Sequence, residues 1–271
     1  MKVEKIAETI KGFDDGDIEE EEAVKLLKDV ESYDFSAAIS HLQQDSRLEE
    51  GDLPSISKLF HEIYDEIFTE LIRELEKDHP IRRLVNEHER FEILLKVVED
   101  ISKDIKEGSE TEKIDKLETA VEGLSHLNWH FQKEEDLIFP AWHERDEWDS
   151  MVSYLLEDEH KDIAKAYERL SNKSKERKQD WSGKDWEELR ELIEKLRGMI
   201  YFHTFHEGDI FYPIIVDQLP QTEFEKIEEK MDDIEKENTD IPLDEYISSL
   251  KDSIDEAKDR KEPFDGGSIY D

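Results

Sequence analysis

The chain has 271 residues, 41% of them charged and 36% hydrophobic, and Asp and Glu outnumber Lys and Arg by 75 to 37, for a formal net charge of −38. Charge of that sign and size repels nucleic-acid phosphates and anionic membrane surfaces, and its spread along the whole chain reads as solvated helix faces suited to a salty cytoplasm. There is no cysteine, which excludes disulfides, thiolate zinc sites, iron–sulfur ligation and a cysteine nucleophile, so any metal must be held by nitrogen and oxygen.

No signal-type apolar stretch and no run of 18 apolar residues occurs, which predicts a soluble, cytoplasmic protein. Apolar residues recur at spacings of three and four almost throughout, and Gly and Pro number only 10 and 7, so the fold class is all-α. Residues 1–76 read as a smaller N-terminal helical domain, with helices over Val3 to Phe13, Glu19 to Val30, Phe35 to Arg47 and Leu53 to Glu76, and breaks at Gly12, Gly16 and Gly51. Asp78-His79-Pro80 then starts a new unit, because proline pushes the residue before it out of the helical region while itself fitting a first turn.

Within residues 77–219 four helices of matching length are predicted, roughly 80–107, 111–142, 147–174 and 183–216. They are separated at Gly108-Ser109, at Glu144 to Glu147 and at Ser171 to Gly183. Short connections make neighbouring helices antiparallel, which predicts an up-down-up-down four-helix bundle. Residues 220–271 read as an acidic C-terminal helical extension that ends in the loop-like PFDGGSIYD.

A histidine and carboxylate pattern occurs twice in the bundle segment. Glu87-His88 is followed by His130, Glu134 and Pro140, and Glu159-His160 is followed by His203, Glu207 and Pro213. In each copy the second histidine and its glutamate are four residues apart, and the proline stands six beyond the glutamate. Residues four apart project from one helix face about 6 Å apart along the axis. That face is otherwise apolar: Leu127, Leu137 and Ile138 flank the first pair, and Ile200, Ile210 and Phe211 the second. His88 shares a stripe with Leu84, Phe91 and Leu95, and His160 with Leu156, Ile163 and Tyr167. No Lys or Arg lies on these stripes.

Buried carboxylates cost several kcal/mol unless they are paired or bound to metal. Two of them beside four imidazoles, in two registered copies, point to a metal centre with the ligands His88, His130, Glu134, His160, His203 and Glu207. The repeat prefers Glu134 over Glu135, whose counterpart is Gly208. If both glutamates bridge, each of two metals receives two nitrogens and two carboxylate oxygens, and an oxide or hydroxide bridge makes a fifth ligand with at least one position open. Such a nitrogen and oxygen set fits iron best, with manganese or zinc as alternatives.

Around this set, His126 lies one turn before His130 and is expected to support a ligand or line a channel. Glu87 and Glu159 are candidates to orient ligands or relay protons. Tyr167 is a candidate to line the ligand pocket. His206 corresponds to Lys133 and is expected at the surface, and the corresponding Trp129 and Phe202 are expected to pack between helices.

The segments NEHERF, HFQKEEDLIFP, DEHKDI and HEGDIFYP resemble the hemerythrin-like, or HHE cation-binding, family over about residues 80–216. The resemblance implies a four-helix bundle around a non-haem di-iron centre, with the six residues above as ligands. This set is similar to the bacterial branch with four histidines and two bridging glutamates and departs from the invertebrate oxygen carriers, which use five histidines and an aspartate. The implied role is to bind or sense a small diatomic ligand, oxygen or nitric oxide, or iron and redox state. The alternative is a di-iron enzyme: a peroxidase, a nitric oxide reductase or an iron-donating repair protein. The run GDLPSISKLFHEIYDEIF and the junction DHPIRRLVNEHE resemble a helical domain of unknown function that precedes this module in some bacterial and archaeal proteins. That segment is the candidate surface for a protein partner, and the sequence leaves the oligomeric state open.

Overall fold

The apolar spacing of three and four is realised as helix, and no strand occurs among the described residues. The computed structural model describes residues 3–30, 32–44, 47, 55–56, 58–60, 62–63, 72, 74–104, 111–143, 150–176, 181–238 and 241–259. Most of the predicted helix Leu53 to Glu76 lies outside the described residues, as do the breaks Gly108-Ser109 and Glu144 to Glu147 and the terminal PFDGGSIYD.

Three short amphipathic helices come first: α1 (Val3–Asp14), α2 (Glu20–Leu27) and α3 (Ser32–Gln44). Their apolar faces meet in a core that includes Ile6, Ile10, Leu27, Phe35, Leu42 and Phe60. In it the rings of Phe35 and Phe60 pack edge to face with centroids 5.2 Å apart. Gly16, at φ 77°, takes the left-handed conformation that turns the chain between α1 and α2.

The bundle opens with α4 (Pro80–Asp104). Pro80 loses nothing at a first turn, where its missing N–H would have had no partner, and the Ile81 N–H donates to His79 Nδ1 at 3.3 Å. The second rod comprises α5 (Thr111–Gly123), a 3₁₀ turn (Leu124–His126), α6 (Leu127–Lys133), a π-helical turn (Glu134–Ile138) and α7 (Phe139–His143). The third is α8 (Ser150–Ser174). The fourth comprises α9 (Gly183–Phe205), a π-helical turn (His206–Phe211) and α10 (Tyr212–Gln218). Before α9, the Ser182 N–H and hydroxyl both donate to the Asp185 carboxylate, at 2.8 and 2.6 Å, which fixes the start of the helix.

Each rod packs on the next, α4 on α5, α5 on α8, α8 on α9, and α9 back on α4. The six residues between α4 and α5 reach at most about 20 Å, whereas α4 is about 37 Å long, so these neighbours run antiparallel. The bundle is therefore up-down-up-down, as the sequence predicts.

The sequence reading has unbroken helices over 111–142 and 183–216, and the structure inserts a π turn in each. Both turns precede or contain the approach to a proline. Pro140 and Pro213 cannot donate to the carbonyl four residues back, and their rings crowd it. A wider turn, closed in the first copy by the Phe139 N–H on the Glu134 carbonyl, absorbs that mismatch without ending the helix.

After Pro220 the chain folds back as α11 (Gln221–Asn238), α12 (Leu243–Ser249) and α13 (Lys251–Asp259). α11 lies against α4, α6 and the first π turn, α12 against α4 and α5, and α13 against α4. Among its described residues the segment also carries an apolar face, and Asp232 and Glu235 turn toward Arg83 of the bundle. Phe224, Ile227 and Met231 join one core cluster of the bundle, and Leu243, Leu250 and Ile254 join the other. No helix among the described residues is long and apolar enough to cross a membrane.

Gly123 is where α12 closes on the bundle. A Cβ there would stand 2.9 Å from Leu94 Cδ1 and 3.2 Å from Tyr246 Cβ. Gly123→Val is therefore expected to destabilise the chain by about 1–3 kcal/mol through overpacking, read as a lower urea midpoint with an unchanged slope. A midpoint equal to that of the parent would show that α12 does not depend on this contact.

Candidate metal centre

Two apolar clusters fill the bundle, one including Leu84, Ile138, Phe139 and Phe211, the other Phe91, Leu124, Phe131 and Ile163. Between them along each rod sits one polar layer. His88 comes from α4, His130 and Glu134 from the second rod, His160 from α8, and His203 and Glu207 from the fourth. None of the six is more than 2% exposed.

The imidazoles turn their Nε2 atoms inward around the two carboxylates. Glu207 stands between both pairs of histidines: Oε1 is 2.8 Å from His203 Nε2 and 3.4 Å from His160 Nε2, while Oε2 is 3.0 Å from His88 Nε2 and 3.6 Å from His130 Nε2. Glu134 presents only Oε2, 3.3 Å from His160 Nε2 and 3.5 Å from His130 Nε2. Its Oε1 accepts the Tyr212 hydroxyl at 2.5 Å. The donors form two groups in which all ligand atoms lie within 4.8 Å of one another: Glu134, His160, His203 and Glu207 in one, His88, His130 and Glu207 in the other. Sequence reasoning treats both glutamates as bridges, whereas here only Glu207 offers one oxygen to each group.

Carboxylates hold the outer nitrogens of three of the four rings. Glu87 Oε2 is 2.8 Å from His130 Nδ1, Glu159 Oε2 is 2.9 Å from His203 Nδ1, and Glu135 Oε1 is 2.8 Å from His160 Nδ1. Such partners set ring orientation and raise ligand basicity. Each of Glu87 and Glu159 thus serves the second histidine of its copy rather than its own neighbour in sequence. They are held in turn from outside: Lys133 donates to Glu87 Oε1, and His206 Nδ1 is 2.8 Å from Glu159 Oε1. Lys133 is 2% exposed, so the correspondence between Lys133 and His206 marks an inward supporting position and not the surface one that sequence reasoning assigned to His206.

Burial disfavours charge on all four rings, and at three of them the carboxylates outweigh it. His130 is pushed up to about 9 by Glu134, Glu207 and Glu87, and His160 up to about 11 by Glu134, Glu135 and Glu207. His203 is raised by Glu207 and Glu159, whereas at His88 burial prevails and the pKa is lowered. Burial also opposes charge on Glu207, yet His203, His130 and His160 hold it well below the usual carboxylate range.

These donors fit a cation. Glu134 Oε2 is buried and makes no well-aligned hydrogen bond, His203 Nε2 lies against Glu207 Oε1 at 2.8 Å, and His88 Nε2 faces His130 Nε2 at 2.9 Å. A bound cation satisfies lone pairs that otherwise point at one another.

Other expected residues stand elsewhere. His126 Nε2 donates to the Ile241 carbonyl at 3.0 Å, its ring meets Tyr246 edge to face, and burial lowers its pKa. It lines a cavity of about 250 Å³ that also reaches Glu87 and Lys133, while its own polar contact fastens the start of α12. Tyr167 lies two turns along α8 from His160 and packs against the core, its hydroxyl paired with Ser171 and Ser125. Trp129 borders the same cavity as His126, and Phe202 is 50% exposed instead of packed between helices.

Tyr212, Phe139, Phe131 and Glu135 are the residues that sequence reasoning missed. Phe131 stacks on His160 with centroids 4.1 Å apart. On an ideal helix Tyr212 lies about 140° round from Glu207. The π turn between them brings it back to the face of Glu207, with its hydroxyl 3.3 Å from Glu207 Oε2. The doubled proline was the one available signal for that change of phase.

Metal and proton compete for the same nitrogens, and raised pKa values mean tightly held protons. Cation uptake at pH 7 is therefore expected to release protons from His130 and His160, and apparent affinity to rise with pH until it passes their values of about 9 and about 11. Titration with Fe(II) in weakly buffered indicator solution measures this; uptake with no acidification at pH 7 would contradict the assignment.

The sequence model of the hemerythrin HHE cation-binding domain matches residues 79–153 and 151–265. The first match contains His88, His130 and Glu134, and the second contains His160, His203 and Glu207, so each copy of the pattern falls in its own match. No curated protein matches the chain at a significant level. Two family matches that together cover well over half of the chain, on a bundle whose buried layer gathers six histidine and glutamate donors, show that the chain belongs to the hemerythrin HHE cation-binding family.

Proposed function

We propose that the chain is a non-haem di-iron protein that binds or senses a small diatomic ligand, oxygen or nitric oxide, or reports iron and redox state through the occupancy of its centre. The observation that carries this reading is the pair of donor groups that share Glu207. Imidazole and carboxylate ligation without sulfur suits iron, with manganese and zinc as the alternatives. A group of four donors and a group of three both leave coordination positions open for an exogenous ligand. Two divalent ions against two carboxylates retain excess positive charge, which favours the reduced state in which diatomic ligands bind.

When iron is bound it supplies the electrons for ligand binding, and the surrounding residues supply the rest. Glu87, Glu135 and Glu159 orient three imidazoles. Phe139 and Phe131 limit access of water to His160. The Tyr212 hydroxyl is a proton held between Glu134 and Glu207. That hydroxyl is the one feature favouring the second reading, an enzyme of the peroxidase or nitric oxide reductase type, because turnover needs a proton source beside the open positions. The charge of −38 supports a setting in solution, which we take to be the cytoplasm, away from nucleic acids and anionic membranes. The N-terminal helices, outside the matched region, are the proposed contact for a protein partner.

Anaerobic titration with Fe(II) is expected to saturate near two irons per chain, and His130→Ala and Glu207→Ala each to lower that content. Exposure to oxygen or nitric oxide should then produce a charge-transfer absorption that disappears on degassing. Sustained consumption of substrate would select the enzyme reading instead, and iron content unchanged by both substitutions would sink the di-iron assignment. Tyr212→Phe separates the roles further: it should leave reversible binding in place, whereas an enzyme drawing its proton from this hydroxyl should lose about 10²–10⁴-fold in rate.

A further inference from the structure

The two copies of the pattern are related side chain by side chain, and this exposes where they differ. Phe139 stacks on His160 with centroids 5.7 Å apart and planes 16° apart, and its counterpart Tyr212 stacks on His88 with the same 5.7 Å and 16°. Only the hydroxyl distinguishes them. It donates to Glu134 Oε1 and lies 3.3 Å from Glu207 Oε2. The outer carboxylates follow the same relation, with Glu87 on His130 at 2.8 Å and Glu159 on His203 at 2.9 Å. Glu135 holds His160, and the residue in the corresponding place to hold His88 is Gly208. His88 Nδ1 is accordingly the one outer nitrogen of the four ligand rings that is buried with no hydrogen bond.

We propose that the two cation positions are unequal, that the one formed by His88, His130 and Glu207 is the labile position, and that Tyr212 and Gly208 make it so. This rests on reading the centre as a two-cation site. Three physical effects act in the same direction. The His88 position has three donors against four at the His160 position. One of its imidazoles has no carboxylate to fix its orientation or raise its basicity, a deficit that commonly costs about 10–100-fold in metal affinity. The Tyr212 hydroxyl also engages Glu134 Oε1, the oxygen that would otherwise be free to bridge, and stands beside Glu207 Oε2, the carboxylate oxygen nearest His88. Occupancy then becomes graded: the His160 position retains its ion while the His88 position fills and empties as the free ion concentration changes. That is the behaviour of an iron-responsive element and not of a permanently filled carrier.

The test loads the full chain anaerobically with Fe(II) and adds an excess of a chromogenic ferrous chelator. Release is expected in two equal phases whose rates differ by about 10–100-fold. His88→Ala should leave the slow phase alone. Tyr212→Phe, which installs the side chain the other copy already carries at Phe139, should slow the fast phase. Glu135→Gln should accelerate the slow phase toward the fast one. Release of both irons in a single phase from the parent protein overturns the proposal, as do phases that neither Tyr212→Phe nor Glu135→Gln alters. Iron uptake indifferent to His130→Ala and Glu207→Ala removes the two-cation reading and this inequality with it, an outcome distinct from equal release at an intact centre.

Discussion

Two carboxylates and four imidazoles enclosed between two apolar clusters set the terms for the rest of this protein. Left as isolated polar groups they would cost more than a domain of this size can offset, since net stabilities are only about 5–15 kcal/mol. The chain meets that constraint by making the groups compensate one another. Carboxylates draw protons onto three imidazoles, the imidazoles hold Glu207 ionised, and a second ring of carboxylates fixes the outer nitrogens. A bound cation would take the place of those protons while the outer ring could stay as it is, so the scaffold that keeps the charges buried would also orient the donors.

The outer ring explains why the acidic C-terminal helices fold back onto the bundle. Lys133, almost fully buried, donates to Glu87 and lies 3.4 Å from Glu235 of α11. Arg83 reaches Glu235 and Asp232 at 2.8 and 2.9 Å. A continuous line of charge therefore runs from His130 through Glu87 and Lys133 to α11. In the other copy the outer partner lies within the bundle, where His206 takes the place of Lys133 beside Glu159. Exposed ion pairs on their own contribute little. These matter because they neutralise groups that would otherwise sit charged beside a ligand. The apolar contacts of Phe224, Ile227 and Met231 supply the burial that holds α11 in place.

The π turns connect backbone chemistry to the centre. In each copy a proline placed six residues past the buried glutamate forces the preceding turn to widen, and the widened turn shifts the face of the following residues. Phe139 and Tyr212 thereby reach over His160 and His88, where an ideal helix would have carried them away. One pair of corresponding residues then differs by a hydroxyl and another by a carboxylate. Those two differences, with Phe131 against Thr204 and Lys133 against His206, give a nearly symmetric duplication two unlike halves.

The helical class, the bundle, the duplicated pattern and its six buried candidate donors were legible in the amino-acid sequence. They rest on the spacing of residues along one helix, and helical geometry acts over a few residues whatever the surroundings. His130 and Glu134 share a face because they are four apart, and no tertiary contact is needed to know it. The partners of the outer carboxylates were not legible in that way. Glu87 meets His130 and not its neighbour His88, Glu135 reaches His160 on another helix, and Lys133 turns inward although the repeat predicts an outward position. Those outcomes depend on the rotation and axial offset of one rod against the next, which the π turns reset within each rod. Local periodicity determined which residues could serve the centre, and packing between helices decided which oxygen meets which nitrogen, because contacts between rods depend on phase relations that no single helix contains.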